Sequence, residues 1–379
     1  MADAQPEARY MDWEEGDGDP NGHTPGDSKN SANGFPIPPP TQTDRYGFLG
    51  GNQYTDPEED KRTPPEVLRK RELKWLDMFE NWEKWMSKRF KKVKDRCRKG
   101  IPPALRARAW QYLCGGKFQM EQNPGKYEEY LKHPGDLKYL DDIKKDLHRQ
   151  FPNHEMFLSK GGHGQTDLFS VLKAYTIYNP QDGYCQAQAP IAAVLLMHMP
   201  AEQAFWCLVA ICDKYITGYF SPGLEAIQLD GEVLFGLVKK TSPSIYKHLK
   251  KQCVEPIMYM TEWFMCIFTR NLSWGCVLRL WDVFLCEGVK VLFRTALLVM
   301  RTVLGAPEKM AECPSFYETV EKLRLRQMPP ELLDEEYITR EALKISVTDR
   351  DMEREHHKQI TRRKAAKDSK GDASKKKKT

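Results

Sequence analysis

The chain has 379 residues, 40% of them hydrophobic and 29% charged, with a net charge of +5, so a sizeable core and a soluble exterior are both expected. Met1-Ala-Asp-Ala lacks a basic segment followed by an apolar run, so no secretory signal is expected. The longest apolar stretch, Ala189 to Pro200, falls short of the roughly 20 residues a spanning helix needs. The 10 cysteines form no CxxC pair and the one close histidine pair, His356 and His357, lies among charges, which excludes a clustered zinc site and favours free thiols in a reducing compartment. A cytoplasmic protein follows, free or peripheral at membranes.

Residues 1–64 are rich in Gly, Pro, Asp, Asn and Ser and poor in periodic apolar positions, and residues 1–60 carry 13 acidic against 3 basic side chains. An acidic disordered arm is the expectation. Within it, Phe35-Pro-Ile-Pro-Pro-Pro40 suits a polyproline helix. That stretch reads either as a stiff linker or, between Pro36 and Pro40, as a ligand for an SH3 or WW partner.

Order is expected from Pro64-Pro65 onward. Residues 65–95 read as one long amphipathic helical lead-in, with Leu68, Leu73, Trp75, Leu76, Met78, Phe79, Trp82, Trp85, Met86 and Phe90 near helical spacing. Its end is basic, from Lys88 through Lys99. The plain reading is a solvated helix face; the functional one is contact with an acidic membrane surface or partner. Gly100-Ile-Pro-Pro103 breaks the chain and starts the next helix, which holds Leu105, Arg106, Ala109, Trp110 and Leu113 and closes at Gly115-Gly116. Residues 137–150 predict a short amphipathic helix ending at Phe151-Pro152. A loop at residues 161–164 and a helix over residues 166–178 follow. Helical patterns then run from residue 188 to about 305, with turns at Ser221-Pro-Gly223, Ser242-Pro243 and Glu287-Gly288. Strict period-2 alternation is almost absent, so the body is expected to be all-α. Residues 306–345 read as C-terminal helices. Residues 346–379, with 12 basic and 6 acidic side chains, read as a basic disordered tail.

Two short polar motifs stand out from this apolar pattern. Ile143, Asp146 and Arg149 are spaced i, i+3, i+6, so on a helix Asp146 reaches Arg149 within one turn and holds its guanidinium at one angle. Alone, such a pair is an ordinary surface ion pair worth under about 1 kcal/mol. Gly183-Tyr184-Cys185-Gln186 follows the turn cluster Asn179-Pro-Gln-Asp182 and precedes an apolar helix, so Gln186 sits at a loop-to-helix junction where side chains are displayed. Alone, it is a loop glutamine. Together they offer an arginine to stabilise phosphoryl charge and an amide to orient water. The chain has no phosphate-binding loop of its own: Gly161-Gly-His-Gly164 lacks the following Gly-Lys-Ser/Thr. Cys185 with a distant His163 or His198 makes a weak thiol nucleophile. The basic runs lack a nucleic-acid recognition context, so no nucleic-acid partner is expected.

In chain order, Arg106-Ala-Arg-Ala-Trp110 supplies RxxxW, Ile143 to Arg149 supplies IxxDxxR, and Tyr184 to Gln186 supplies YxQ. Val277-Leu-Arg-Leu-Trp281-Asp282 and Cys286-Glu-Gly288 follow. This set resembles the TBC-domain Rab GTPase-activating proteins over residues 96–305. Asp182-Gly-Tyr-Cys-Gln-Ala-Gln188 is similar to the ezrin-binding-partner and carabin subgroup. Many members have Gly-Met after the glutamine, where this chain has Ala187-Gln188. The resemblance implies a TBC helical domain and a catalytic activator of a partner GTPase in membrane trafficking. Arg149 would be the arginine finger and Gln186 the glutamine finger, with Asp146 holding Arg149 and Tyr184 shaping the turn. Arg106 and Trp110 would buttress the site, and Asp282 would pair with a nearby cation such as Arg279. No cofactor is needed, since GTP and Mg²⁺ belong to the partner. That partner would be a Rab protein; the carabin likeness adds a Ras-type GTPase as an alternative, and a non-catalytic scaffold is the reading from another class.

Overall fold

Helices carry most of the described chain. The computed structural model describes residues 43–50 and 63–376, and among them no strand forms beyond two isolated bridges. The polyproline stretch lies outside the described residues. No described helix is long and apolar enough to cross a membrane.

The lead-in is three helices rather than one: α1 (Pro65–Glu80), α2 (Trp82–Lys88) and α3 (Phe90–Arg98). Asn81 (φ −126°, ψ 38°) and Arg89 (φ −133°, ψ 23°) leave the helical region. The bends wrap the aromatic stripe around α4 (Pro103–Cys114), whose Tyr112 ring lies 5.2 Å from Phe79 and 5.1 Å from Trp82. Unbroken helical spacing hides such kinks, because the apolar stripe continues through them. In the basic run, Lys88, Lys91, Lys92 and Lys99 are exposed, while Arg98 turns inward to pair with Glu287 through two bonds of 2.6 and 2.7 Å.

Short helices α5 (Gly116–Gln122), α6 (Lys126–Lys132) and α7 (Leu137–Leu147) follow, then α8 (His163–Tyr178), α9 (Gln188–Leu196) and α10 (Ala201–Lys214). Next come α11 (Glu225–Thr241), α12 (Pro243–Lys251), α13 (Ile257–Met265), α14 (Trp274–Glu287) and α15 (Lys290–Leu304). Every residue of α9 is buried, as is α14 from Trp274 to Leu285, so these two form the centre; α9 is apolar nearly all round, while α14 also buries Arg279 and Asp282. Helices α4, α8, α10 and α15 pack around them, and α7 lies against α8 and α9. Short α16 (Pro307–Ala311), α17 (Phe316–Leu323) and α18 (Glu335–Lys344) close the far side.

Two expectations about the ends need correction. Order does not wait for Pro64: within residues 43–50, Phe48 is fully buried against Phe151 and Trp274, at ring distances of 6.3 and 5.1 Å. The tail is not structureless either, because α19 (Asp349–Lys376) is helical and packs on α11. Arg363 clasps Glu232 through two 3.0 Å bonds and Lys240 reaches Asp351 at 2.5 Å. A Cβ on Gly236 would overlap Glu355, so the two helices meet at a glycine. Charge pairing rather than an apolar stripe marks this contact, and sequence periodicity does not register it.

Candidate functional site

Helix α7 starts at an Asp136 cap, whose carboxylate accepts from the Lys138 N–H at 2.8 Å. Its Ile143 is fully buried, which presses the helix on the core and carries Asp146 inward with it. The helix stops at Leu147, so Arg149 stands on the turn just past it rather than on the helix itself. Arg149 Nε donates to Asp146 Oδ1 at 2.9 Å, and Nη2 donates to the same oxygen. Tyr184 Oη donates to Asp146 Oδ2 at 2.6 Å, and Gln150 Nε2 to the Asp146 carbonyl at 3.1 Å. Asp146 is 5% exposed, so burial makes each of these bonds necessary, and the carboxylate is satisfied on both oxygens. Burial, then the Asp146 charge, raise the Tyr184 phenol far above its ordinary value and keep it a donor.

The second motif comes from the link between α8 and α9. Asn179 Nδ2 and Ser221 Oγ both donate to the Asp182 carboxylate, at 2.9 and 2.7 Å, and Asp182 N–H returns to Asn179 Oδ1 at 3.1 Å. The chain then turns at Gly183 with φ +60°, and a Cβ there would overlap the Tyr139 ring of α7. Left-handed backbone and close approach both demand glycine at this point. Fully buried Gln188 opens α9, and its Oε1 accepts the Cys185 N–H at 3.1 Å, which closes the loop. Gln186 is thereby held half-buried beside Arg149. With its amide oriented to satisfy both groups, its oxygen accepts from Arg149 Nη1 at 3.1 Å and from Nη2.

Four of the sequence-predicted residues, Asp146, Arg149, Tyr184 and Gln186, thus meet in one cluster. Of the five guanidinium N–H groups, two go to Asp146 and two to Gln186, leaving one for a ligand. The Arg149 side chain remains 36% exposed, so an incoming phosphate has access to it. Burial pushes the Cys185 thiol up, which makes it a poor nucleophile.

Arg106 and Trp110 belong to a different, buried network. Asp282 accepts from Arg106 Nε at 3.1 Å, Trp110 Nε1 at 2.8 Å and the Ile101 N–H at 2.8 Å. The Trp110 ring stacks near Trp281 at 5.2 Å. The cation expected for Asp282, Arg279, is committed elsewhere: it bonds Glu335 Oε1 at 2.5 Å and the Arg98 carbonyl at 3.1 Å. Asp282 faces inward from α14 toward α4, and the residue 176 positions upstream reaches it where its helical neighbour does not.

Sequence reasoning missed Asp182, Tyr139 and Gln188 as shapers of the glutamine loop. The departure Ala187-Gln188 was the one signal available, since it puts an amide where an apolar residue is usual.

Residues 103–304 match the family model described as the Rab-GTPase-TBC domain. Over 319 residues the chain is 60% identical to TBC1 domain family member 10B of Homo sapiens, covering 84% of this chain and 39% of that protein. Over 321 residues it is 50% identical to Carabin of Mus musculus, covering 84% of this chain and 70% of that protein. Over 321 residues it is 49% identical to TBC1 domain family member whacked of Drosophila melanogaster, covering 84% of this chain and 87% of that protein. Among solved structures, the Chlamydomonas flagellar RabGAP TBC domain superposes with a TM-score of 0.61 at 24% identity, covering 79% of this chain and 98% of that one. The chain belongs to the Rab-GTPase-TBC family. It spans well under half the length of the human relative.

Proposed function

We propose that this chain accelerates GTP hydrolysis by a Rab-family GTPase, and through it regulates membrane trafficking. The single observation that carries the reading is the Asp146–Arg149–Tyr184–Gln186 cluster. It presents an arginine and a glutamine side by side, held from beneath and open above. On docking, Arg149 bonds the transferring phosphoryl oxygens while keeping Asp146. Gln186 leaves the guanidinium, accepts from the attacking water and donates to a phosphate oxygen. Water adds to the γ-phosphorus as the bond to the β-phosphate oxygen breaks, giving GDP and inorganic phosphate. GTP and Mg²⁺ enter with the partner. An arginine in this role is worth about 10³–10⁵ in rate, or roughly 4–7 kcal/mol of barrier.

The test is single-turnover hydrolysis on a panel of GTP-loaded Rab and Ras proteins, with wild type, Arg149→Ala and Gln186→Ala. Stimulation of a Rab protein that falls about 10³-fold or more in Arg149→Ala supports the reading. Stimulation of Ras proteins alone moves the substrate to that class. Binding without stimulation makes the chain a scaffold and overturns the catalytic role.

A further inference from the structure

The arginine turn is clasped from outside by a segment that precedes the family domain. Residues 43–50 lie upstream of the matched residues 103–304 and pair with the chain immediately after Arg149. Phe48 and His154 form an antiparallel bridge. Leu49 N–H donates to the Asn153 carbonyl at 2.9 Å, and Glu155 N–H to the Gly47 carbonyl at 2.8 Å. His154 Nε2 donates to the Tyr46 carbonyl at 2.8 Å, while its Nδ1 accepts the Met156 N–H at 3.2 Å. Asp44 shapes the clasp by accepting the Tyr46 and Phe48 N–H groups at 2.8 and 3.0 Å.

What this clasp holds is strained. Phe151, two residues past Arg149, sits at φ +44°, a conformation that bulky residues adopt only when their surroundings impose it. The surroundings here are two rings, Phe48 and Trp274. Phe48 is 6.3 Å from Phe151, Trp274 is 5.6 Å from it, and Phe48 and Trp274 are 5.1 Å apart. Trp274 comes from central α14 and Phe48 from the clasp, so each fixes Phe151 from its own side. Just upstream, Gln150 is fastened to the Asp146 carbonyl. The Arg149 backbone is therefore pinned on both sides, by α7 before it and by the clasp after it.

We infer that residues 43–50 position the arginine finger, with Phe48 as the positioning residue that keeps Arg149 in register for the partner's phosphates. This rests on the proposed role of Arg149. Phe48 meets the turn through the Phe151 ring and the backbone bridge at His154, so its effect passes through the turn. A finger displaced by about 1 Å loses on the order of 10²-fold in rate, and the ground-state docking surface is left in place.

The experiment uses the full chain and a GTP-loaded Rab protein that wild type stimulates, measuring stimulated kcat, KM and thermal unfolding. The variants are Phe48→Ala, Phe48→Leu and Gly47→Ala, each alone and combined with Arg149→Ala. Phe48→Ala is expected to lower kcat about 10- to 100-fold with KM within about twofold, and Phe48→Leu to restore most of it. In the Arg149→Ala background neither Phe48→Ala nor Gly47→Ala is expected to cost anything further, since a finger already absent has no position to lose. Gly47→Ala opens the clasp without removing apolar surface, because its backbone is left-handed at φ +89° and its Cβ would press on His154 Nε2 at 2.8 Å. It therefore serves where Phe48→Ala fails to fold. Equal fractional losses with and without Arg149, or a loss carried by KM or by the unfolded fraction, overturn the clasp. If Arg149→Ala itself behaves as wild type, the finger assignment fails first and the clasp with it.

Discussion

Asp146→Asn isolates what the carboxylate does for Arg149. The substitution keeps the shape of the side chain and removes its charge. In the native site two guanidinium N–H groups and the Tyr184 hydroxyl converge on two carboxylate oxygens. An asparagine offers one oxygen, and its NH₂ would face a donor, so at least one of those bonds is lost. Arg149 then keeps its charge and loses its fixed direction. Freezing an arginine side chain costs up to about 2 kcal/mol of rotamer entropy, and that cost moves into the activation step. At about 1.36 kcal/mol per decade it amounts to roughly a 30-fold fall in stimulated kcat. Single-turnover hydrolysis at saturating activator reads this directly. The expected order is wild type, then Tyr184→Phe down by a few fold for one lost hydrogen bond, then Asp146→Asn, then Arg149→Ala. An Asp146→Asn rate equal to wild type would refute preorganisation as the role of this carboxylate. A rate as low as that of Arg149→Ala would show that Asp146 does more than hold the guanidinium.

Other expectations follow from the same contacts. Asp282→Ala strands the buried Arg106 charge and two further donors, Trp110 Nε1 and Ile101 N–H, and is expected to cost about 3–5 kcal/mol, read as a melting-point drop of roughly 4–7 °C by calorimetry. Gly183→Ala drives a methyl into the Tyr139 ring from a left-handed backbone and is expected to lower kcat more than it lowers the melting point. Acid should loosen the protein early. Burial lowers the His154 imidazole, which faces Asp44 and Glu155, and burial together with Arg106 pushes His198 down to about 4. A histidine depressed in the folded state stabilises it fully above the unfolded value near 6.5, and that contribution is lost as pH falls through 6.5 toward the folded value. Urea midpoints should therefore fall between about pH 6.5 and 4, with a loss of unfolding free energy of at most about 3 kcal/mol from His198. Flat midpoints across that window would contradict both assignments.

The helical body was legible because its apolar residues repeat with the helical period and its breaks fall at Gly and Pro. The pair Arg149 and Gln186 was legible only as residue types in company; their contact depends on α7 meeting the α8–α9 link, which no local pattern encodes. The three features read differently from the sequence share a cause. The kinks at Asn81 and Arg89 lie inside an unbroken aromatic stripe. The clasp at Phe48 rests on one fully buried ring in a short turn-rich stretch. Helix α19 docks by charge pairs such as Arg363 with Glu232. In each case the informative contact is long-range and made by one or two residues, below the threshold of periodicity.

Two arginine–aspartate pairs in this chain show how burial divides structural from functional use of the same chemistry. In Arg106–Asp282 the side chains are 10% and 0% exposed, and every donor turned to the carboxylate comes from the protein itself. Burial closes such a pair to a ligand, and removing either partner leaves a charge without water, which is costly. In Arg149–Asp146 the aspartate is again covered, at 7%, but the arginine is 36% exposed and its other bonds go to the Gln186 side chain rather than to backbone. Deleting Arg149 takes two donors from a covered carboxylate that keeps Tyr184 and lets water reach it from the exposed side, so the cost is smaller than at Asp282. Both sites pair an arginine with an aspartate, one across 176 residues and the other across three. The anchored carboxylate is common to both, and the exposure of the guanidinium is what separates Arg149, which a ligand can reach, from Arg106.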